Sequence, residues 1–288
     1  MKDRLIEFGF AAGWRVVRML PLPVARSLFN AAADRAYKKN GPGTQRLRRN
    51  LTQVAGGDVP EQVVRDGLRS YARYWLEAFR LPSQSRQQLL DGFGISEEHY
   101  DWIRKAMADG KGLILTLPHA GNWDAAAGWV SSNDWRMVTV AERLKPEAVY
   151  RRFVQYRENL GMKVIPLTGG ERPPLDELAD RLLAGWMVCL LGDRDLSRNG
   201  VEVSFFGGRT RMPAGPAILA IRTGAPLYAV GLSFTPTQTY AVLKPITPPA
   251  EGPLDVRVKA TTQMLADAFA EGIAEHPQDW HMLQKLWL

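Results

Sequence analysis

Leu113-Ile114-Leu115-Thr116-Leu117-Pro118-His119-Ala120-Gly121-Asn122-Trp123-Asp124 is the stretch on which the fold turns. After the turn Gly110-Lys111-Gly112, Leu113 to Leu117 read as a short buried strand, and Pro118 ends it. The alanine-rich Ala125-Ala126-Ala127-Gly128-Trp129 that follows reads as helix. Asn122 is placed to cap it, and Asp124 falls in its first turn, where a carboxylate suits the positive end of the helix dipole.

On one continuous helix, residues five apart point about 140° away from each other. With His119 in the loop and Asp124 in the first turn, the chain can instead fold the imidazole back onto the carboxylate, and Gly121 supplies the backbone freedom. A carboxylate on one ring nitrogen fixes the tautomer and raises the basicity of the other, which can then take a proton from a hydroxyl. No Gly-x-Ser-x-Gly elbow and no neighbouring cysteine offers a protein nucleophile, so the expected reaction is direct attack by a bound alcohol. The competing reading makes His119 a structural residue at a strand end and leaves Asp124 to the dipole alone.

Downstream, Trp186 to Leu191 read as a second buried strand running into Gly192-Asp193-Arg194-Asp195. Polar residues at the end of such a strand are where α/β proteins place their chemistry. Asp193 and Asp195 serve the site or pair with Arg194. Farther on, Val203 to Pro216 contain a Gly-rich turn with Arg209 and Arg211, which either holds a phosphate or is a surface hairpin. Residues 216–223 and 255–275 read as helices, Leu227 to Phe234 as a strand, and the tail from His276 to Trp287 is unusually aromatic.

Upstream, Leu5 to Leu20 mix apolar and aromatic residues with Lys2, Arg4, Arg15 and Arg18, the composition of a helix lying in a lipid interface or packing on its own domain. A second basic cluster, Lys38, Lys39, Arg46, Arg48 and Arg49, is either membrane-attracting or a solvated face. Residues 60–81 carry apolar positions at helical spacing. The expected architecture is α/β: one domain over 1–288, with a central mixed β-sheet flanked by helices. Its helical, membrane-facing amino-terminal portion covers 1–100 and its catalytic core 110–288.

The chain has 288 residues and a net charge of +7, which suits polyanionic partners. Its single cysteine, Cys189, excludes an intramolecular disulfide and a cysteine-rich zinc site, reads as a buried strand residue, and suits a reducing compartment. The four histidines lack the i, i+4 pairing of a zinc protease, so no metal is expected. No signal peptide is evident and no run of 18 apolar residues appears, so action from the membrane surface is expected. Basic runs without interleaved aromatics and without a binding motif argue against nucleic acid.

Taken together, these segments resemble the bacterial lipid A lauroyl and myristoyl acyltransferases. The resemblance rests on the H-x4-D pattern His119 to Asp124, on Gly192-Asp193-Arg194-Asp195 followed by Val203-Ser204-Phe205-Phe206-Gly207 and Pro213-Ala214-Gly215-Pro216-Ala217, on Arg46-Leu47-Arg48-Arg49-Asn50-Leu51 and on the Trp280 region. Within that family the chain looks most like the actinobacterial phosphatidylinositol mannoside acyltransferases. That resemblance implies transfer of a palmitoyl group from palmitoyl-CoA, as co-substrate rather than cofactor, to a mannose hydroxyl of a phosphatidylinositol mannoside. It places the protein peripherally at an anionic membrane surface, on the cytoplasmic face of the plasma membrane. His119 would be the base and Asp124 its orienting partner. Arg157 matches the family's basic residue, and Asp193 stands where the family can carry Glu. Arg194, Arg209 and Arg211 would complete the substrate-binding set. The rivals are the same chemistry on a lipid A precursor with acyl carrier protein as donor, and a non-catalytic lipid-binding protein.

Overall fold

The computed structural model describes residues 14–143, 147–195 and 200–288. Among these residues ten α-helices and nine strands follow a helical stretch over 14–19. Five helices precede or flank the first strand: α1 (Leu22–Lys39), α2 (Pro42–Ala55), α3 (Glu61–Arg80), α4 (Arg86–Asp91), then β1 (Phe93–Ile95) and α5 (Glu97–Ala108). The centre runs β2 (Leu113–Leu117), α6 (Trp123–Ser132), β3 (Met137–Ala141), α7 (Glu147–Asn159), β4 (Met162–Pro166), α8 (Pro174–Leu183) and β5 (Met187–Leu191). The remainder is β6 (Val201–Phe205), β7 (Gly208–Met212), α9 (Gly215–Thr223), β8 (Leu227–Phe234), β9 (Thr239–Ile246) and α10 (Leu254–Glu275).

Seven strands form one mixed sheet in the order β1-β9-β8-β2-β5-β3-β4, and β6 and β7 make a separate antiparallel hairpin. Neighbours pair in parallel except β8 with β9, which a tight hairpin joins. All five residues of β2 are buried, as its unbroken apolar sequence demands of a strand covered on both faces. One layer of core, on Leu178, Leu182, Phe269 and Trp280, covers one face. A second layer, on Ile103, Trp129, Val130 and Tyr156, covers the other.

The strands expected at 113–117 and 227–234 and the helices expected near 60–81, 216–223 and 255–275 are all present. The α/β class with a central mixed sheet and helices at the amino terminus is therefore the architecture found. One difference falls inside the portion read as helical: β1, three residues long, forms the edge of the sheet beside β9, through Phe93↔Thr239 to Ile95↔Ala241. Three residues are too few for a period to register in sequence.

The register of β2 and β5 positions the site. Leu117 lies opposite Leu191 in a parallel pair, and Gly192 N–H donates to the Leu117 carbonyl at 2.9 Å. The residues two steps beyond each strand end, His119 and Asp193, are thereby carried to the same end of the sheet. Gly192 has to be glycine at this crossing, since a Cβ there would stand 2.4 Å from Thr116 Cγ2. Of the expected interfacial segment at 5–20, the part before residue 14 lies outside the described residues. Within 14–19 the packing reading holds for Trp14. Trp14 packs inward on Phe79 and Tyr156, with centroids 5.1 and 5.2 Å away. Val16 and Met19 stand 55% and 77% exposed.

Candidate active site

His119 lies in the loop between β2 and α6, and its position is fixed from three directions. Its Nδ1 is 2.6 Å from Asp193 Oδ1, its own backbone N–H donates to Asp193 Oδ2 at 3.0 Å, and its carbonyl accepts the backbone N–H of His281 at 2.7 Å. Gly121 makes the sharp turn behind it with φ +55, and a Cβ there would strike the Leu232 side chain at 2.8 Å. Asn122 caps α6 as expected, its Oδ1 accepting Ala125 N–H at 2.9 Å.

Asp193 is fully buried, with 0% of its surface exposed. Burial alone would push its carboxyl upward. The charge of His119 and the hydrogen bonds from His119 and the Trp280 indole outweigh that and hold it below the usual carboxylate value. An ionised Asp193 takes the proton-bearing Nδ1 and leaves Nε2 as the basic nitrogen. Nε2 makes no hydrogen bond among the described residues, and a quarter of the side chain is exposed.

The orienting partner expected for His119 was Asp124, and here the structure corrects the reading. Asp124 does sit in the first turn of α6, 3% exposed, but its oxygens are engaged elsewhere: Tyr74 O–H donates to Oδ2 at 2.9 Å, and Arg157 Nε to Oδ1 at 3.1 Å. Asp193 holds the imidazole instead, because the β2–β5 register delivers it there while α6 carries Asp124 toward α3 and α7. Burial is the largest single influence on Arg157 and would lower it, but the Asp124 charge, the hydrogen bond to Asp124 and the neighbouring Tyr74 and Tyr156 together outweigh it and hold the guanidinium above its ordinary value, whereas burial first and Asp124 second raise the Tyr74 phenol.

Trp123, Asp124 and Arg157 stand together on the wall of an apolar channel. Leu117 and Leu191, each two residues before the His119–Asp193 pair, line it as well, so the pair adjoins the channel wall. The rest of its surface is almost wholly hydrocarbon: Ile103, Ala127, Trp129, Met162, Val230 and Leu243 among others. Cys189 also lines it, and burial pushes its thiol up to about 12, so it behaves as the packed strand residue expected rather than as a nucleophile.

The other expected residues divide. Arg194 follows Asp193 directly, and its Nε and Nη1 are buried without a hydrogen-bond partner among the described residues. Arg209 sits on the outer face of the β6–β7 hairpin, where its Nε donates to the cross-strand Glu202 at 2.6 Å. Arg211 serves through its backbone, accepting the Asp195 N–H at 2.9 Å and tying the hairpin to the loop after β5. The Gly-rich stretch is thus the hairpin that was its alternative reading, and nothing in it brings Arg209 to the imidazole.

Sequence reasoning missed Tyr74, Ser70, Asp279 and the role of Trp280. Ser70 O–H donates to Asp279 Oδ1 at 2.7 Å, and His281 Nε2 lies 3.0 Å from the same hydroxyl. Phe234 N–H donates to the other Asp279 oxygen at 2.8 Å. These groups come from α3 and the carboxy-terminal segment, far from His119 in sequence, and only the aromatic density of the tail hinted at them.

Compared with known proteins, residues 2–288 match the family described as bacterial lipid A biosynthesis acyltransferase. The chain belongs to that family. As a member of the lipid A biosynthesis acyltransferases it is an acyltransferase enzyme. Among its relatives is a phosphatidylinositol mannoside acyltransferase of Mycolicibacterium smegmatis, 48% identical over 99% of this chain and 92% of the relative. Phosphatidylinositol mannoside acyltransferases of two strains of Mycobacterium tuberculosis are 45% identical over 98% of this chain and 88% of theirs.

Proposed function

We propose that this acyltransferase moves a palmitoyl group from palmitoyl-CoA to a mannose hydroxyl of a phosphatidylinositol mannoside, with His119 as general base. The observation that carries the reading is the short Asp193–His119 contact beside a hydrocarbon-lined channel. The acceptor follows from relatives of that name at 45–48% identity over nearly the whole chain.

In the proposed reaction the acyl chain lies in the channel, which places the thioester near His119. Nε2 takes the proton of the mannose hydroxyl as its oxygen attacks the thioester carbonyl carbon. The tetrahedral intermediate collapses with rupture of the C–S bond, and the imidazolium returns the proton to the departing CoA sulfur. Asp193 fixes the imidazole tautomer and offsets the charge it gains. The ester oxygen comes from the sugar, so no acyl-enzyme forms. Arg157, held by Asp124, supplies positive charge at the channel wall for the oxyanion or an acceptor phosphate.

The site of action in this reading is the cytoplasmic face of the plasma membrane, reached from the surface. Among the described residues no helix is long and apolar enough to cross a membrane. Val24 and Leu28 stand one turn apart on α1, 47% and 55% exposed, and Val16 and Met19 upstream are exposed as well, as are Arg15 and Arg26. Exposed apolar side chains among exposed arginines suit anionic lipid.

The test is a two-by-two panel of donors and acceptors with purified full chain: palmitoyl-CoA or palmitoyl carrier protein, against phosphatidylinositol mannoside or a lipid A precursor, products identified by mass spectrometry. Acylated mannoside from palmitoyl-CoA is expected. Product only on the lipid A precursor, or only from carrier protein, would overturn the corresponding half of the proposal.

A further inference from the structure

The carboxy-terminal segment runs back through the centre of the molecule. Trp280 is fully buried, with 0% exposed, and forms an isolated antiparallel bridge with Ala120, the residue next to His119. Around that bridge the segment grips the catalytic loop twice through backbone: Gly121 N–H donates to the Asp279 carbonyl at 2.9 Å, and His281 N–H to the His119 carbonyl at 2.7 Å. Between these bonds the Trp280 indole N–H donates to Asp193 Oδ2 at 2.9 Å, the oxygen that does not hold the imidazole.

A carboxylate can hold an imidazole at a fixed angle only if its own rotation is stopped. Asp193 Oδ2 has two donors, the backbone N–H of His119 and the indole of Trp280. The first belongs to the same residue that Asp193 must orient, so it cannot serve as an independent reference. Trp280 can, because its ring is wedged in the core against Phe205 and Phe206, with centroids 5.9 and 6.3 Å away. Farther along, the segment is pinned by Asn50, whose amide donates to the Met282 and Gln284 carbonyls, and by Thr210, whose hydroxyl donates to the Leu286 carbonyl.

We infer that Trp280 is a positioning residue of the acyl transfer: its indole N–H fixes the rotamer and charge of Asp193, and through Asp193 the direction of His119 Nε2. The inference deepens the general-base reading and rests on it. Second-layer donors of this kind set ligand orientation in other sites at a cost of about 10- to 100-fold when removed. Phenylalanine at position 280 keeps the aromatic packing and deletes only the donor.

Trp280→Phe is therefore expected to lower kcat by about 10- to 100-fold with little change in KM for palmitoyl-CoA. A purely structural tryptophan could do as much through lost stability, so a second readout decides. Only four histidines are present, so nitrogen-detected NMR can follow the imidazole of His119 directly as pH is varied. The titratable groups nearest the pair are His281 and Asp279 on the same segment, Asp124, Tyr74 and Arg157 across α3, α6 and α7, and Arg194 next in the chain; Trp280→Phe leaves all of them in place. With one donor gone, the Asp193 charge is balanced more by His119 alone, and the His119 midpoint should move upward. Trp287→Phe is the control: Trp287 packs on Phe205 at 5.9 Å but its Nε1 has no hydrogen-bond partner among the described residues, so this change should leave the midpoint where it is.

A His119 midpoint in folded Trp280→Phe equal to or below that of wild type overturns the inference, as does an equal upward shift in Trp287→Phe. Loss of transfer in His119→Ala with no effect in Trp280→Phe would also overturn it while leaving the general-base reading standing; retention of transfer in His119→Ala would sink that reading itself. Should Trp280→Phe not fold, the wild-type protein still answers. One indole N–H signal should be downfield, slow to exchange and titrate together with His119, and a spectrum without such a signal refutes the inference.

Discussion

Replacing Asp193 by asparagine changes one buried atom and should remove nearly all activity. Asp193 Oδ2 accepts from His119 N–H and the Trp280 indole, while Oδ1 lies 2.6 Å from His119 Nδ1. Asparagine can keep its oxygen on the two donors, which places its NH2 group against Nδ1. Two donors cannot face each other at that distance, so the imidazole must put its proton on Nε2 and present Nδ1 as acceptor. The nitrogen facing the substrate then carries a proton already and cannot take another. The size and shape of the side chain are unchanged, so the fold should survive, and the loss should approach the roughly 10⁴-fold typical of a wrong tautomer. The assay is steady-state transfer of labelled palmitoyl from palmitoyl-CoA to phosphatidylinositol mannoside, with circular dichroism showing that the variant is folded. A folded Asp193→Asn enzyme within about tenfold of wild type would refute the assignment of Asp193 as the orienting carboxylate.

Three further outcomes follow from the same geometry. Asp124→Asn leaves the partly buried Arg157 without its charge partner and should cost about 1.5–3 kcal/mol in denaturant unfolding, while the NMR titration midpoint of His119 stays near that of wild type because Asp124 does not touch the ring. Burial pushes His281 down to about 3, below its unfolded value, so between pH 6.5 and 5 the unfolded chain binds a proton that the folded one refuses. Stability should accordingly fall on acidification by up to about 1.4 kcal/mol per pH unit from this group, and His281→Gln should flatten the slope of urea unfolding against pH by that amount. Ala127 lines the channel at 4% exposure, so Ala127→Phe should shift donor preference from palmitoyl-CoA to shorter acyl chains, and an unchanged chain-length profile would show that the acyl group lies elsewhere.

The fold was legible where hydrophobic runs were unbroken. β2 and β8 declared themselves because strands covered on both faces need little polarity, and Asn122 declared the start of α6 because a helix end needs a side-chain acceptor. His119 was legible too, as a polar residue just past a buried strand. What the sequence hid was its partner. Asp124 is near in sequence and Asp193 is 74 positions away, so local reasoning chose the near carboxylate, whereas the parallel β2–β5 register brings the far one into contact. Trp280 was hidden for the same reason: its bond to Asp193 crosses 87 positions and depends on a tail that threads the core. Arg209 misled because clustered glycines and arginines suit a phosphate loop and an exposed hairpin equally well, and only its pairing with Glu202 separates the two.

The most direct test of the account is transfer of radiolabelled palmitoyl from palmitoyl-CoA to purified phosphatidylinositol mannoside by wild type and by folded His119→Ala. Transfer by wild type and a fall of about 10³-fold or more in the variant are expected. Equal transfer by the two proteins would contradict the account.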